Sequence, residues 1–330
     1  PVQGRRRPGA LTRMVSLALL AVSFVSVGGV GACVSSAAYT SKVQQANPAS
    51  TGQMLTVNGH GVNVLTAGTS GPPVLMIHGA SANAREFNWT LAPRLDDGYR
   101  VLMADRPGHG YSERFDGAER LDAQAAQMAG VLDQMAPGEK AVIVGHSFGG
   151  AVALRLALDR PDLVQGLVLI APVTHDWGGG GQAWYNGLAA APMLGPMFTQ
   201  IVPTVGPQQV RAGIDGVFDP APVPENYFEN SAIGLLFRPP NFRANAQDVR
   251  RLEAELAEQS RRYPELRVPI TVFSGSQDTV ISPKLHVGEL KKQVPVDLVI
   301  LPDEGHMPHH AHGADVADTI RRLATGSKSR

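Results

Sequence analysis

A serine enclosed by glycines is the first feature of the sequence that could do chemistry. Residues 145–150 read GHSFGG and place Ser147 between Gly145 and Gly149. An apolar run at residues 141–144 precedes this segment, and an alanine- and leucine-rich run that favours a helix follows it. A strand that turns directly into a helix crowds the residue at the turn, and only glycine-sized neighbours fit there. The pattern therefore predicts a nucleophilic serine whose hydroxyl is exposed at the carboxyl edge of a sheet.

The apolar segments predict the elements that would position this serine. From residue 54 onward, short apolar runs alternate with amphipathic segments, which indicates a mostly parallel sheet with helices on both faces. Eight strands are predicted, at residues 53–57, 62–67, 74–78, 100–105, 141–145, 166–171, 269–275 and 296–301. Helices are predicted at residues 87–95, 121–135, 149–159 and 247–262.

The interval between the sixth and seventh strands is far longer than a crossover helix needs. It spans about ninety residues, from Thr174 to Pro264, and must hold additional structure. Within it, Met193, Met197 and Ile201 recur at helical spacing together with Leu194 and Phe198. We interpret residues 174–245 as a helical lid over the active site, although such methionines also suit the core of a small helical subdomain.

Five segments at predicted strand ends together resemble the α/β-hydrolase superfamily. They are HGASAN (78–83), DRPGHGYS (105–112), GHSFGG (145–150), SGSQDTVISP (274–283) and DEGHMPHH (303–310). Their order of serine, then acid, then histidine is the order that this fold uses. The resemblance covers nearly all of residues 54–325 and implies the α/β-hydrolase fold. This fold is a mostly parallel eight-stranded sheet flanked by helices, with a helical lid inserted after the sixth strand and a core at residues 54–173 and 246–330.

A serine hydroxyl is a poor nucleophile near neutral pH, so it needs a base and a third group that orients the base. The resemblance implies that His306, in the loop after the last strand, is the base. It also implies that Asp278, beyond the seventh strand, is the orienting acid. Asp176, after the sixth strand, stays open as an alternative because some hydrolases of this fold use that position.

Backbone N–H groups are expected to stabilise the oxyanion that forms when the serine attacks a carbonyl. Phe148, the residue after the nucleophile, supplies one of them, and by resemblance Ala80 supplies the other. We expect His78 to brace the loop that carries Ala80 and His146 to pack beside the serine. Asp105 has no evident chemical task and is interpreted as a residue that hydrogen-bonds within its loop.

His309, His310 and His312 lie close together in the sequence and could bind a metal ion. No carboxylate or cysteine cluster in the sequence accompanies them. We therefore expect these histidines to be solvated on a helix face, and we expect neither a metal nor another cofactor.

The amino terminus differs in kind from the rest of the chain. Four arginines precede an uncharged run at residues 14–32, which predicts an export signal at residues 1–32. The residues before Cys33, the only cysteine, resemble a bacterial lipobox, so lipidation of Cys33 would give an exported, membrane-anchored lipoprotein. An ordinary cleaved signal on a secreted protein and an uncleaved membrane helix remain alternatives. Residues 33–53 are small and polar and are expected to form a flexible stalk.

The balanced charge of the chain and the serine at position 147 together narrow the range of functions that the sequence allows. The chain has 29 basic and 29 acidic residues, which gives no reason to expect a nucleic-acid partner. Epoxide hydrolases and haloalkane dehalogenases, which the DRPGHGYS segment also resembles, carry aspartate where this chain has Ser147. We therefore expect a serine hydrolase that cleaves a carboxylic ester or related acyl substrate through an acyl-enzyme intermediate.

The insertion is expected to determine which substrate is accepted. Its apolar residues are candidates to line an apolar acyl pocket: Trp184, Tyr185, Met193, Phe198 and Tyr227. One alternative is a hydrolase that cleaves carbon–carbon bonds of dienoic ring-fission products, for which cationic groups such as Arg211, Arg238 or Arg243 should lie over Ser147. The other alternative is a lipoprotein that keeps the fold for binding alone.

Overall fold

A computed structural model describes residues 31–95, 97–179 and 183–326 of the chain. The export signal expected at residues 1–32 therefore lies almost entirely outside the described residues. Within the part of the chain that is described, no helix is both long enough and apolar enough to cross a membrane.

Residues 31–46 form a helix, α1, where the small polar composition suggested a flexible stalk. The phenol of Tyr39 donates a hydrogen bond to the carbonyl of Gly234 at 3.0 Å, and Ser36 is buried. Beyond α1, the carbonyl of Pro48 accepts a hydrogen bond from Arg85 at 2.9 Å. The stalk expectation is therefore wrong for this segment, because tertiary contacts stabilise a helix that its composition alone would not predict.

A single eight-stranded sheet forms the centre of the fold. Its strands are β1 Gln53–Val57, β2 His60–Ala67, β3 Pro73–Ile77, β4 Arg100–Ala104, β5 Ala141–His146, β6 Val164–Ile170, β7 Ile270–Gly275 and β8 Asp297–Leu301. Their order is β1-β2-β4-β3-β5-β6-β7-β8, and β2 runs antiparallel to both of its neighbours while all other pairs are parallel. Strands β3, β5 and β7 are buried along their whole length, as expected of strands covered on both faces, whereas the edge strand β8 is buried only at Leu301.

Helices cover both faces of this sheet. They are α2 Arg85–Thr90, α3 Leu121–Met135, α4 Phe148–Asp159, α10 Pro283–Gln293 and α11 Gly313–Ala324. One apolar core lies between the sheet and α3 and α4, and a second lies between the opposite face and α2 and α11. The helix predicted at 87–95 is shorter in the structure and continues as a 3₁₀ turn at Ala92–Arg94. Pro93 lies in that turn, and proline has no amide proton to continue an α-helix.

The predicted insertion between β6 and β7 is helical. It contains α5 Trp184–Ala190, α6 Gly195–Phe198, α7 Val202–Phe218, α8 Tyr227–Asn230 and α9 Pro239–Gln259. Helix α9 begins eight residues before the predicted residue 247, because Pro239 and Pro240 fit the first turn of a helix and favour its start there. The domain boundary expected between residues 245 and 246 therefore falls inside α9.

Candidate active site

The turn at Ser147 has the strained geometry that the glycine pattern predicted. Ser147 lies between β5 and α4. Its backbone angles are φ 52° and ψ −117°, and residues other than glycine rarely adopt such a positive φ. A Cβ atom on Gly149 would lie 2.0 Å from the carbonyl oxygen of Ile77, and one on Gly145 would lie 2.5 Å from the carbonyl oxygen of Gly149. Both positions therefore require glycine.

Asp278 and His306 meet at the carboxyl edge of the sheet. The Nδ1 atom of His306 lies 2.8 Å from Oδ2 of Asp278, and both side chains are buried. The other carboxylate oxygen accepts hydrogen bonds from the amides of Val280 at 2.9 Å and Ile281 at 2.8 Å. A carboxylate held in this way keeps the proton of a neutral imidazole on Nδ1 and leaves Nε2 free to accept one.

The alternative acid, Asp176, does not make this contact. Asp176 is exposed, whereas its neighbours Thr174 and His175 are buried. Those two neighbours bond instead to His286 of α10. Asp278 is therefore the carboxylate that His306 contacts.

The loop that carries His306 is fixed beside Ser147 from two sides. Nε2 of His146 lies 3.0 Å from the carbonyl oxygen of His306, and the two imidazole rings are 5.0 Å apart. The amide of His306 donates to the carbonyl of Val217 in α7 at 3.0 Å. His146 thus does more than pack: since burial lowers its pKa well below the usual range, its neutral ring donates from Nε2.

Ser147 and His306 are only 7% and 5% exposed, so the site is enclosed. Among the hydrogen bonds of the described residues, none joins the Ser147 hydroxyl to His306. Such contacts are often long in a substrate-free site and shorten when the substrate binds.

Two free amides flank the serine. Within the described residues, the N–H groups of Ala80 and Phe148 have no hydrogen-bond acceptor. A Cβ atom on Gly79 would lie 3.1 Å from Cβ of Ser147, so the loop that carries Ala80 lies directly against the serine. These amides can bind an oxyanion at that position.

Arg106, which the sequence analysis did not single out, holds this loop. Its guanidinium donates to the carbonyls of His78 at 3.1 Å and Gly79 at 3.0 Å, and lies 4.1 Å from the ring centre of Phe148. It also forms a fully buried ion pair with Asp248 of α9, at 2.7 Å. The brace expected at His78 is thus shared with Arg106, whose own amide donates to Nε2 of His78 at 3.0 Å.

Asp105 has the loop role that its position suggested. Its buried carboxylate accepts hydrogen bonds from the Asn63 side chain at 2.7 Å and from the amides of Ala84 at 2.8 Å and Tyr111 at 2.9 Å. Three donors satisfy this carboxylate, so it fixes the loops after β3 and β4.

His309 is buried and the side chain of the part-buried His310 is only 7% exposed, which contradicts the expectation of solvated histidines. Their Nε2 atoms lie 3.1 and 2.6 Å from Oε1 of Glu86 in α2, and the Tyr227 hydroxyl donates to Oε2 at 3.2 Å. Burial lowers the pKa of His309 to about 4. Burial alone would raise the pKa of Glu86, but the hydrogen bonds from the two histidines outweigh it and hold that pKa well below its usual range.

The sequence did not reveal this cluster because Glu86 is 223 residues from His309. The ligand atoms of Glu86, His309 and His310 lie within 4.8 Å of one another and could hold a metal ion. The Nε2 atom of each imidazole already contacts the Glu86 carboxylate. His312, by contrast, is more exposed and pairs with Asp315.

The residues expected to line an acyl pocket lie elsewhere. Trp184, Tyr185 and Met193 are exposed on the surface, and Tyr227 belongs to the Glu86 cluster. Of the apolar residues at helical spacing, Met197 and Phe198 lie in α6, whereas Met193, Leu194 and Ile201 lie in the turns beside it, and all of them except Phe198 are exposed.

A sequence profile of the alpha/beta hydrolase family matches residues 74–319, well over half of the chain. The chain belongs to the alpha/beta hydrolase family. Its relatives include the AB hydrolase superfamily protein YfhM of Bacillus subtilis (strain 168), which is 27% identical over 298 residues, 81% of this chain and 96% of the relative. Another is a 2-hydroxy-6-oxononadienedioate/2-hydroxy-6-oxononatrienedioate hydrolase of a Pseudomonas species, 26% identical over 279 residues, 83% of this chain and 93% of that hydrolase.

Solved structures of the family share the architecture. An esterase from Exiguobacterium antarcticum superimposes with a TM-score of 0.65 at 20% identity, covering 83% of this chain and 99% of the esterase. At this level of identity the likeness concerns the fold, and it agrees with the strand order and the placement of helices in this alpha/beta hydrolase.

Proposed function

We propose that this alpha/beta hydrolase cleaves a carboxylic ester or related acyl substrate, with Ser147 as nucleophile, His306 as base and Asp278 as the group that orients the base. The observation that carries the proposal is the strained Ser147 beside the Asp278–His306 pair. A surface serine with no chemical role would have no reason to adopt this backbone conformation next to an oriented imidazole.

In the proposed reaction, Nε2 of His306 takes the proton of the Ser147 hydroxyl as its oxygen attacks the substrate carbonyl carbon. The resulting oxyanion accepts hydrogen bonds from the amides of Ala80 and Phe148. When the intermediate collapses, the carbon–oxygen bond to the alcohol breaks and His306 donates the proton to that alcohol. A water molecule, deprotonated by His306, then attacks the acyl carbon. The bond from that carbon to the Ser147 oxygen breaks, His306 returns the proton to Ser147, and the acid is released.

A carbon–carbon bond hydrolase is the second candidate, because the Pseudomonas relative carries the name of a dienedioate hydrolase. The contacts of the three candidate arginines favour the ester reaction. Arg211 lies over the Phe228 ring at 4.6 Å, and Arg238 lies over the Tyr111 ring at 4.7 Å and binds the carbonyl of Gly110. Arg243 lines a surface cleft together with Cys33. Arg211 and Arg238 are thus engaged elsewhere, and Arg243 lies at the surface cleft, so none of these contacts places a cation against Ser147.

Tethering to a membrane is part of the same proposal. Cys33 is exposed near the start of α1, where an enzyme could attach a lipid to its thiol. This proposal is supported by the lipobox-like residues before Cys33 and by the exposure of the Cys33 thiol. Mass spectrometry of the protein expressed in bacteria, compared with Cys33→Ser, tests the proposal through the presence or absence of a diacylglycerol adduct.

The activity is tested with the full chain and p-nitrophenyl esters from acetate to palmitate. Ser147→Ala should abolish both turnover and covalent labelling by a fluorophosphonate, whereas Ser282→Ala, at an exposed serine, should preserve both. Labelling without ester turnover would favour the carbon–carbon substrate. If neither signal appears in the folded wild type, the triad assignment fails and a binding lipoprotein becomes the better interpretation.

A further inference from the structure

The insertion presents an apolar face to solvent. Met193, Met197, Ile201 and Val205 follow one another at intervals of four residues, and all four are exposed, Met193 by 85% and Met197 by 68%. Met197 lies in α6 and Val205 in α7, and Met193 and Ile201 lie in the turns that precede these two helices. Trp184, which is 78% exposed, lies beside them, because its ring centre is 6.4 Å from that of Phe198 in α6. We call these five exposed residues the α5–α7 face.

This face also lacks charge. Residues 177–210 contain no aspartate, glutamate, lysine or arginine. A surface that meets only water normally mixes charged side chains with its apolar ones, and contiguous exposed apolar patches usually mark a contact with a partner or a membrane.

The position of α1 indicates which partner covers the face. Cys33, Ser36 and Ala37 of α1 line a surface cleft together with Pro196 and Thr199, on and beside α6. The neighbour of Cys33, Val34, is itself 64% exposed. The uncharged run at residues 14–32 leads into α1, so the chain's most apolar segment joins the described structure beside this face.

We propose that the α5–α7 face lies in the interfacial region of a lipid bilayer. An exposed tryptophan next to aliphatic side chains suits that region, where apolar groups enter the acyl boundary and the indole N–H reaches the headgroups. The face lies on the membrane and does not span it. The proposal concerns binding and holds whether or not the proposed ester hydrolysis is correct.

The test uses the fluorescence of Trp184 in the full chain, mixed with vesicles of phosphatidylcholine and phosphatidylglycerol that contain brominated acyl chains. Bromine quenches an indole only at acyl depth, so the measurement reports on the face itself even if the amino-terminal segment also binds. The chain has three tryptophans, and Trp184→Phe gives the signal of the other two. We expect strong quenching in the wild type that is largely lost in Trp184→Phe.

Matched substitutions then test the neighbouring side chains. Met193→Gln combined with Met197→Gln should reduce the quenching of Trp184 several-fold, whereas Met54→Gln, at a 53% exposed methionine on β1, should leave it unchanged. The Ser147→Ala variant should be quenched like the wild type, which separates this proposal from the catalytic one.

Three outcomes would overturn the proposal. In the first, Trp184 of vesicle-bound protein stays open to aqueous iodide and is not quenched by bromine. In the second, Trp184 is shielded from iodide before vesicles are added, at every protein concentration, which would show that the chain's own amino-terminal residues cover the face. In the third, this shielding increases with concentration alongside a dimer in sedimentation, which would identify a second copy as the occupant.

Discussion

Removing the carboxylate of Asp248 should destabilise the protein more than any change at a surface ion pair. Asp248 and Arg106 are both fully buried, and Asp248 also accepts a hydrogen bond from Arg114 at 2.7 Å. Asp248→Ala leaves the Arg106 guanidinium without its counter-charge in the core. Breaking a buried pair from one side costs about 3–5 kcal/mol, a large fraction of the 5–15 kcal/mol that typically stabilises a domain.

The assay is urea unfolding followed by intrinsic fluorescence, with Glu139→Ala as the matched control. Glu139 pairs with Arg100 at 2.6 Å, close to the 2.7 Å of the buried pair, but it is 46% exposed. Its loss should therefore cost less than about 1 kcal/mol. Asp248→Asn keeps the shape of the side chain and one hydrogen-bond acceptor. Its loss of unfolding free energy should therefore fall between those of Asp248→Ala and Glu139→Ala.

A loss in Asp248→Ala no larger than that in Glu139→Ala would refute this reasoning, since it would mean that water or another group compensates the buried guanidinium. If Asp248→Ala does not fold, the ranking of Asp248→Asn against Glu139→Ala decides the matter. In either folded variant, slower turnover of the p-nitrophenyl esters would be consistent with the contacts of Arg106 to the loop that carries Ala80.

Three further predictions follow from the burial of two histidines, a glycine and a glutamate. Burial lowers the pKa of His286 and His309 to about 4, so the unfolded chain binds their protons first. From these two histidines alone, the unfolding free energy should be intact above pH 6.5 and fall toward pH 4 by about 2.7 kcal/mol per pH unit, and other buried histidines with a lowered pKa, such as His146, should steepen the fall. A flat profile in urea titrations would contradict this. Gly149→Ala should abolish soluble expression, because its methyl group would lie 2.0 Å from a backbone carbonyl oxygen, whereas Gly213→Ala, with open space around it, should be tolerated. Glu86→Gln should cost about 1.5–3 kcal/mol in the same unfolding assay, since two imidazoles lose an ionised acceptor, and an unchanged midpoint would argue against an ionised Glu86.

Much of the fold and the polar contacts of the site follow from local sequence patterns. Strands buried on both faces appear as continuous apolar runs, and the carboxyl ends of parallel strands meet at one edge of the sheet. Ser147 and Asp278 follow such strands and His306 follows the partly exposed edge strand β8, so these positions, together with the family resemblance, allowed their convergence to be expected before the structure was known. The glycines around Ser147 mark the turn because no larger residue fits there.

The remaining features depend on contacts that no local pattern encodes. Arg106 and Asp248 are 142 residues apart, and Glu86 lies still farther from its histidines. The stability of α1 likewise comes from its contact with the insertion. Helical spacing grouped Met193 with Met197, but it could not show that Met193 lies in the turn before α6 or that both side chains face the solvent.

The hydrogen bond between the Val217 carbonyl and the His306 amide restricts how the insertion can move relative to the active site. The later half of the insertion is fastened to the core there, at Tyr227 through Glu86, and at Asn245, whose side chain accepts from the amide of Ser81 at 2.7 Å. Swinging the whole insertion aside would pull on the backbone of His306 itself. The hydrogen bonds described for residues 183–201, in contrast, reach no farther than Thr204. A movement of α5 and α6 alone would break none of the three bonds that fasten the later half of the insertion, but it would separate these helices from α9, against which α5 packs.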